Sequence, residues 1–69
     1  MSDEIINELG KRRVTITTAA AMGQGGGFNY AIWDRAGNKI SQGWSAGKRS
    51  DALDSARLEI RERGWIEML

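Results

Sequence analysis

Residues Phe28 to Ile60 read FNYAIWDRAGNKISQGWSAGKRSDALDSARLEI, an unbroken succession of strand, tight turn, strand, loop and amphipathic helix. Phe28, Tyr30 and Ile32 alternate with Asn29, Ala31 and Trp33, the period-two pattern of a strand with one buried face. Asp34-Arg35-Ala36-Gly37-Asn38 supplies the turn, in which Gly37 can take positive φ, and the chain returns from Lys39 to Trp44. On the returning strand Ile40, Gln42 and Trp44 share one face, and Lys39, Ser41 and Gly43 share the other. The helix is expected over 50–63: the Ser50 hydroxyl caps the free amides, Asp51 complements the helix dipole, and Gly64 stops the helix after Arg61 and Arg63. At about 100° per residue, Ala52, Leu53, Ala56 and Ile60 fall on one stripe, where the small alanines let the helix lie close on a sheet. Asp51, Asp54 and Glu62 surround Leu58 on the other side.

Upstream, Val14 to Thr18 is rich in β-branched residues, with Val14 and Ile16 on one face and Thr15 and Thr17 on the other, so it reads as a strand buried on one side. Between it and Phe28, residues 19–27 carry four glycines in five positions, a flexible connection that admits no regular element. No Gly-Lys-Ser/Thr follows and the segment leads into a strand, so the phosphate-loop arrangement is missing. As an arm that settles on a partner it remains a candidate. Residues 1–10 include a candidate short helix, Ser2 to Leu9, capped by Ser2 or Asp3 and stopped by Gly10; it docks through Ile5, Ile6 and Leu9 or frays. The tail at 65–69, Trp65-Ile66-Glu67-Met68-Leu69, is too apolar for a solvated terminus. It packs on the core, adds a short strand, or buries itself in another chain. The expected fold is one α+β domain over residues 1–69. Strands 14–18, 28–34 and 39–44 form an antiparallel three-stranded sheet, covered by one long C-terminal helix.

Composition narrows the chemistry. The 69 residues hold neither His nor Cys, which removes the usual zinc ligand, thiolate sites, disulfides and the usual general base near neutral pH. No nucleophile is spaced with a base, so the chain is read as non-enzymatic, with no metal and no cofactor. No apolar run approaches a membrane span, and Met1 to Gly10 lacks signal-peptide order, from which a soluble, cytoplasmic protein with no membrane association is expected. Ten Lys and Arg stand against nine Asp and Glu, a net charge of +1, so phosphate binding requires the charges to be segregated on the surface. A core this small also favours a partner or a second copy, so a homodimer is a further expectation.

Gly43, Ser45, Gly47, Lys48 and Arg49 lead into the last helix, and the order of elements resembles a reduced double-stranded-RNA-binding domain. That resemblance implies phosphate contacts from Lys48 and Arg49, with Ala52 as the packed alanine. Three strands followed by a helix also resemble integrase-type DNA-binding domains, which implies groove contacts from Trp33, Arg35 and Lys39. In type, a small cysteine-free α+β chain with a Gly-rich hairpin and near-balanced charge resembles phage-encoded inhibitors of host defence, including anti-CRISPR proteins. Those proteins act by occupying a nucleic-acid-handling surface or by locking a conformation.

Two binding functions follow. In the first, the chain is an inhibitor or adaptor docking on a protein complex that handles nucleic acid, through Trp33, Arg35, Lys39, Lys48, Arg49, Arg57 and Arg61. In the alternative it binds nucleic acid directly, with Lys11, Arg12, Arg13, Lys48 and Arg49 converging and Trp33 or Trp44 stacking on a base. Trp44 and Trp65 otherwise read as core filling, whereas Trp33 is out of phase with the core and is expected to cover the second sheet face or stand partly exposed.

Overall fold

The computed structural model describes residues 11–23 and 25–68; the expected N-terminal helix lies outside them. The chain is α+β, running β1 (Arg13–Ala20), β2 (Phe28–Asp34), β3 (Lys39–Ser45), α1 (Arg49–Arg63) and β4 (Ile66–Glu67). The sheet has four strands in the order β3-β2-β1-β4. β1 and β2 pair antiparallel, as do β2 and β3, whereas β4 lies parallel to β1. The expected three-stranded sheet therefore gains a strand from the apolar tail. The Ile66 amide donates to the Arg12 carbonyl at 2.8 Å and the Met68 amide to the Val14 carbonyl at 2.7 Å. A parallel neighbour requires a crossover, and α1 supplies it.

The β2–β3 turn forms as its residues dictate. Asp34 accepts the Gly37 amide at 3.1 Å and donates its own amide to the Asn38 carbonyl at 2.9 Å, while Gly37 takes φ 91°. Such a turn needs a left-handed residue at that position, which only Gly adopts at no steric cost. The Asp34 carboxylate also accepts the Asn38 amide at 2.9 Å. That hydrogen bond, above the other influences on it, holds the carboxyl below its ordinary range.

One detail of β3 departs from simple alternation. Ile32 pairs with Ser41 but Trp33 pairs with Lys39, leaving Ile40 as the extra residue of a bulge. Ile40 packs against the core and Ser41 also turns toward the helix, so Gln42 and Trp44 are carried to the opposite face. The expectations that Ile40, Gln42 and Trp44 share a face and that Lys39 shares one with Ser41 and Gly43 are corrected by this bulge. So is the core-filling reading of Trp44, which is 53% exposed. Trp65 does pack against the core.

The helix begins one residue early, at Arg49, and its cap differs from expectation: the Asp51 carboxylate reaches back to accept the Lys48 amide at 2.7 Å, the return half of a capping box. At the other end the Gly64 amide donates to the Arg61 carbonyl at 3.1 Å and the Trp65 amide to the Ile60 carbonyl at 2.9 Å, a Schellman stop. Of the expected stripe Ala52, Ala56 and Ile60 are buried and Leu53 is half-buried; Ala56 and Ile60 pack with Val14 and Ile32 of the sheet. The alanines bring the helix close enough for a polar anchor. Glu59 accepts the Tyr30 hydroxyl at 3.0 Å and the Ser41 hydroxyl, and pairs with Arg63 Nε at 2.9 Å. Burial acts to raise this carboxyl, but the hydrogen bonds from Ser41 and Tyr30 and the Arg63 charge outweigh it and hold it below its ordinary range. Burial, and after it the bond to Glu59, pushes the Tyr30 phenol up.

Tyr30 reaches Glu59 by lying over Gly43: a Cβ at that position would stand 2.5 Å from the ring carbon bearing the hydroxyl. Gly43→Ala should overpack this contact and cost about 1–3 kcal/mol in urea unfolding; an unchanged midpoint would show that the ring moves aside freely. Because Glu59 titrates lower folded than unfolded, its contribution is present above its unfolded value of about 4 and is lost as pH falls through the lower folded one. The stability gap between wild type and Glu59→Gln should accordingly narrow in melts taken below about pH 4. A gap independent of pH would remove the carboxylate from that role.

Candidate functional site

A fifteen-residue helix covers one face of the sheet, and among the described residues nothing covers the other. Alternation from Val14 and Ile32, buried beneath the helix, places the odd-numbered residues of β1 and β2 on that open face. With β3 they form three cross-strand rows: Thr15, Trp33 and Lys39; then Thr17, Ala31 and Gln42; then Ala19, Asn29 and Trp44. Arg13, exposed and paired with Ile66, extends the face on the β4 side.

Both tryptophans are pinned. The Trp33 indole N–H donates to the Thr17 hydroxyl at 2.7 Å, drawing the ring diagonally toward β1, and Lys39 Nζ stands 6.0 Å from its centroid. The Trp44 indole N–H donates to the Gly26 carbonyl at 2.9 Å. The Gly-rich connection thus settles against β3: a Cβ at Gly27 would lie 2.3 Å from the Ser45 carbonyl oxygen and 2.9 Å from Trp44 Nε1. The middle row holds only Ala31 at its centre, and an open trough of about 760 Å³ runs there beside Trp44, lined also by Thr17, Ala19, Asn29, Gln42 and Lys39.

The acids are unevenly placed about the sheet. The acids among the described residues are Asp34 in the turn, Asp51, Asp54, Glu59 and Glu62 on the helix, and Glu67 on β4. Glu67 reaches back to the helix, accepting Arg57 Nε at 2.8 Å and Nη2 at 3.3 Å. None of the acids lies in the three rows. Among the described residues the open face therefore presents two indoles, amides, hydroxyls and cations with no carboxylate, a surface suited to an anionic, flat-ringed ligand.

The basic residues singled out from sequence occupy two distant ends. Lys11, Arg12 and Arg13 precede or open β1, at the end that also holds Asp34, Arg35 and Lys39, because Val14 pairs with Asp34. Arg12 and Arg63 guanidiniums stand 5.7 and 5.0 Å from the Trp65 ring centroid. Lys48 and Arg49 lie at the far end, where Arg49 stands 5.5 Å from the Phe28 ring centroid. The length of β1, eight residues or roughly 25 Å, separates the two groups, so they do not converge. Arg57 is held by Glu67, and Arg61 and half-exposed Leu58 lie on the helix, away from the open face. Of the residues named for a partner, Trp33, Lys39 and Arg35 are brought to one end of the open face and Lys48, Arg49, Arg57 and Arg61 are not.

Thr17, Asn29, Ala31 and Gln42 were missed as site residues, although the polar half of each strand's alternation was their signal. Comparison of the chain with protein-family models, curated proteins and solved structures finds no match. Among the described residues no group of His, Cys, Asp or Glu is placed to hold a metal, and no helix is long and apolar enough to cross a membrane.

If the indoles are pinned as described, Thr17→Val should free the Trp33 ring and shift and broaden its indole proton resonance while leaving that of Trp44 in place. An unmoved Trp33 resonance would contradict the anchor.

Proposed function

We propose that this chain is a non-enzymatic binding module whose open sheet face takes a single strand of nucleic acid. The observation that carries the reading is an open face with no carboxylate among the described residues, on which Trp33 is pinned beside Lys39, Trp44 is pinned two rows away, and Arg13 stands exposed on the β4 side. Indoles stack on any base, and cations at the end of the face meet the sugar–phosphate chain. A duplex hides its bases, and the grip expected of a double-stranded-RNA-binding domain would need Lys48 and Arg49 close to the β1 cluster, from which the length of the sheet divides them.

The second reading, an inhibitor or adaptor of anti-CRISPR type docking on a protein complex, is favoured by a different observation. β3 is the outer strand of the sheet, with no strand along its far side among the described residues. A partner strand, or β3 of a second copy in a homodimer, could pair there by backbone hydrogen bonds.

The two readings separate in a salt titration. Binding of a labelled single strand should weaken with a log–log slope of about −0.7 per phosphate contacted, and Arg13→Ala with Lys39→Ala should reduce that slope by about 1.4. Trp33→Ala and Trp44→Ala should each weaken binding about 5- to 150-fold at fixed salt. A strand that fails to bind even at low salt would overturn the reading and leave protein docking through β3.

A further inference from the structure

The trough beside Trp44 has a shape and chemistry of its own. Its volume, about 760 Å³, is in the range of small-ligand sites. It exists because the middle row places Ala31 between Thr17 and Gln42, so no large side chain fills the centre of the sheet. Trp44 forms one wall, held by its bond to the Gly26 carbonyl. Asn29, beside Trp44 in the next row, and Gln42 bring two side-chain amides to the lining, each with donors and an acceptor. Among the described residues no carboxylate lines it, and the charged group in its lining is Lys39.

We infer that this trough is a slot for one unpaired nucleobase, which stacks on Trp44 above Ala31 while the Asn29 and Gln42 amides hydrogen-bond its edge. This deepens the single-strand reading and rests on it. A flat heterocycle with donors and acceptors on its rim satisfies both amides, and Lys39 of the lining meets the adjoining phosphate. An aliphatic side chain would leave the amides without partners. Filling the floor should close the slot and leave the cations in place.

The test uses the full chain and a labelled mixed-sequence single strand of about twelve nucleotides, within the site sizes of known single-strand binders. Ala31→Leu, at an open-face position away from the core, should weaken binding about tenfold or more with an unchanged salt slope. The same strand made abasic throughout should bind the wild-type protein at least as weakly as the intact strand binds Ala31→Leu. Thermal melting of Ala31→Leu establishes that it is folded, and the abasic strand tests the slot without any substitution. If the intact strand binds wild type and Ala31→Leu equally well, the slot is refuted and the single-strand reading stands; if the abasic strand binds wild type as tightly as the intact one, no base is stacked and both the slot and the reading fail. If the intact strand does not bind wild type at low salt, both fail.

Discussion

Glu59 is the point at which helix and sheet are held together. In a chain whose fully buried side chains among the described residues are two β-branched aliphatics and two alanines, with Ile60 beside them, apolar burial alone gives the helix little orientation along the strands. The carboxylate supplies it by accepting hydroxyls from both β2 and β3 while Arg63 balances its charge. The arrangement requires a glycine at position 43, because the Tyr30 ring occupies the space a side chain there would need. It also requires the bulge at Ile40, which turns Ser41 inward. Arg57 and Glu67 repeat the device on the other side of the helix, fastening the short β4.

The open face follows from the same constraint. One helix covers one side of a sheet, and among the described residues the acids lie on that helix, on β4 and in the β2–β3 turn, none in the rows of the other side. A net charge of +1 is a weak long-range attraction for phosphate, but what matters at contact is the local field, and there the sheet face is cationic and aromatic. The bulge serves both sides at once: it sends Ile40 and Ser41 to the helix and so delivers Gln42 and Trp44 to the open face.

Much of the fold was legible because local rules and tertiary packing agree. The turn at Asp34–Asn38 needs a left-handed Gly37 and has one; Ala52, Ala56 and Ile60 repeat at helical spacing and are buried; Trp33, out of phase with Tyr30 and Ile32, lies on the second face. The tail was legible as apolar and short, and pairing with β1 is one of the outcomes its composition allowed. The bulge was not legible, since assigning Lys39 to Trp44 to two faces by simple alternation leaves no place for an extra residue, and the fit of Ile40 and Ser41 to the helix is a tertiary contact. That single missed residue placed Trp44 in the core. The basic residues misled for another reason: Lys48 and Arg49 are separated from Lys11 to Arg13 by the full length of β1, a distance set by strand pairing that no local pattern records.

The measurement that bears most directly on the open face is a two-dimensional amide and indole proton–nitrogen spectrum of the full chain, recorded while a short single strand is added at low salt. Shifts at the Trp33 and Trp44 indole groups and at the amides of 15–19, 29–33 and 39–44, with 50–63 largely unmoved, are expected if that face takes the strand. Shifts confined to Lys48, Arg49 and the helix, or none at all, would contradict it.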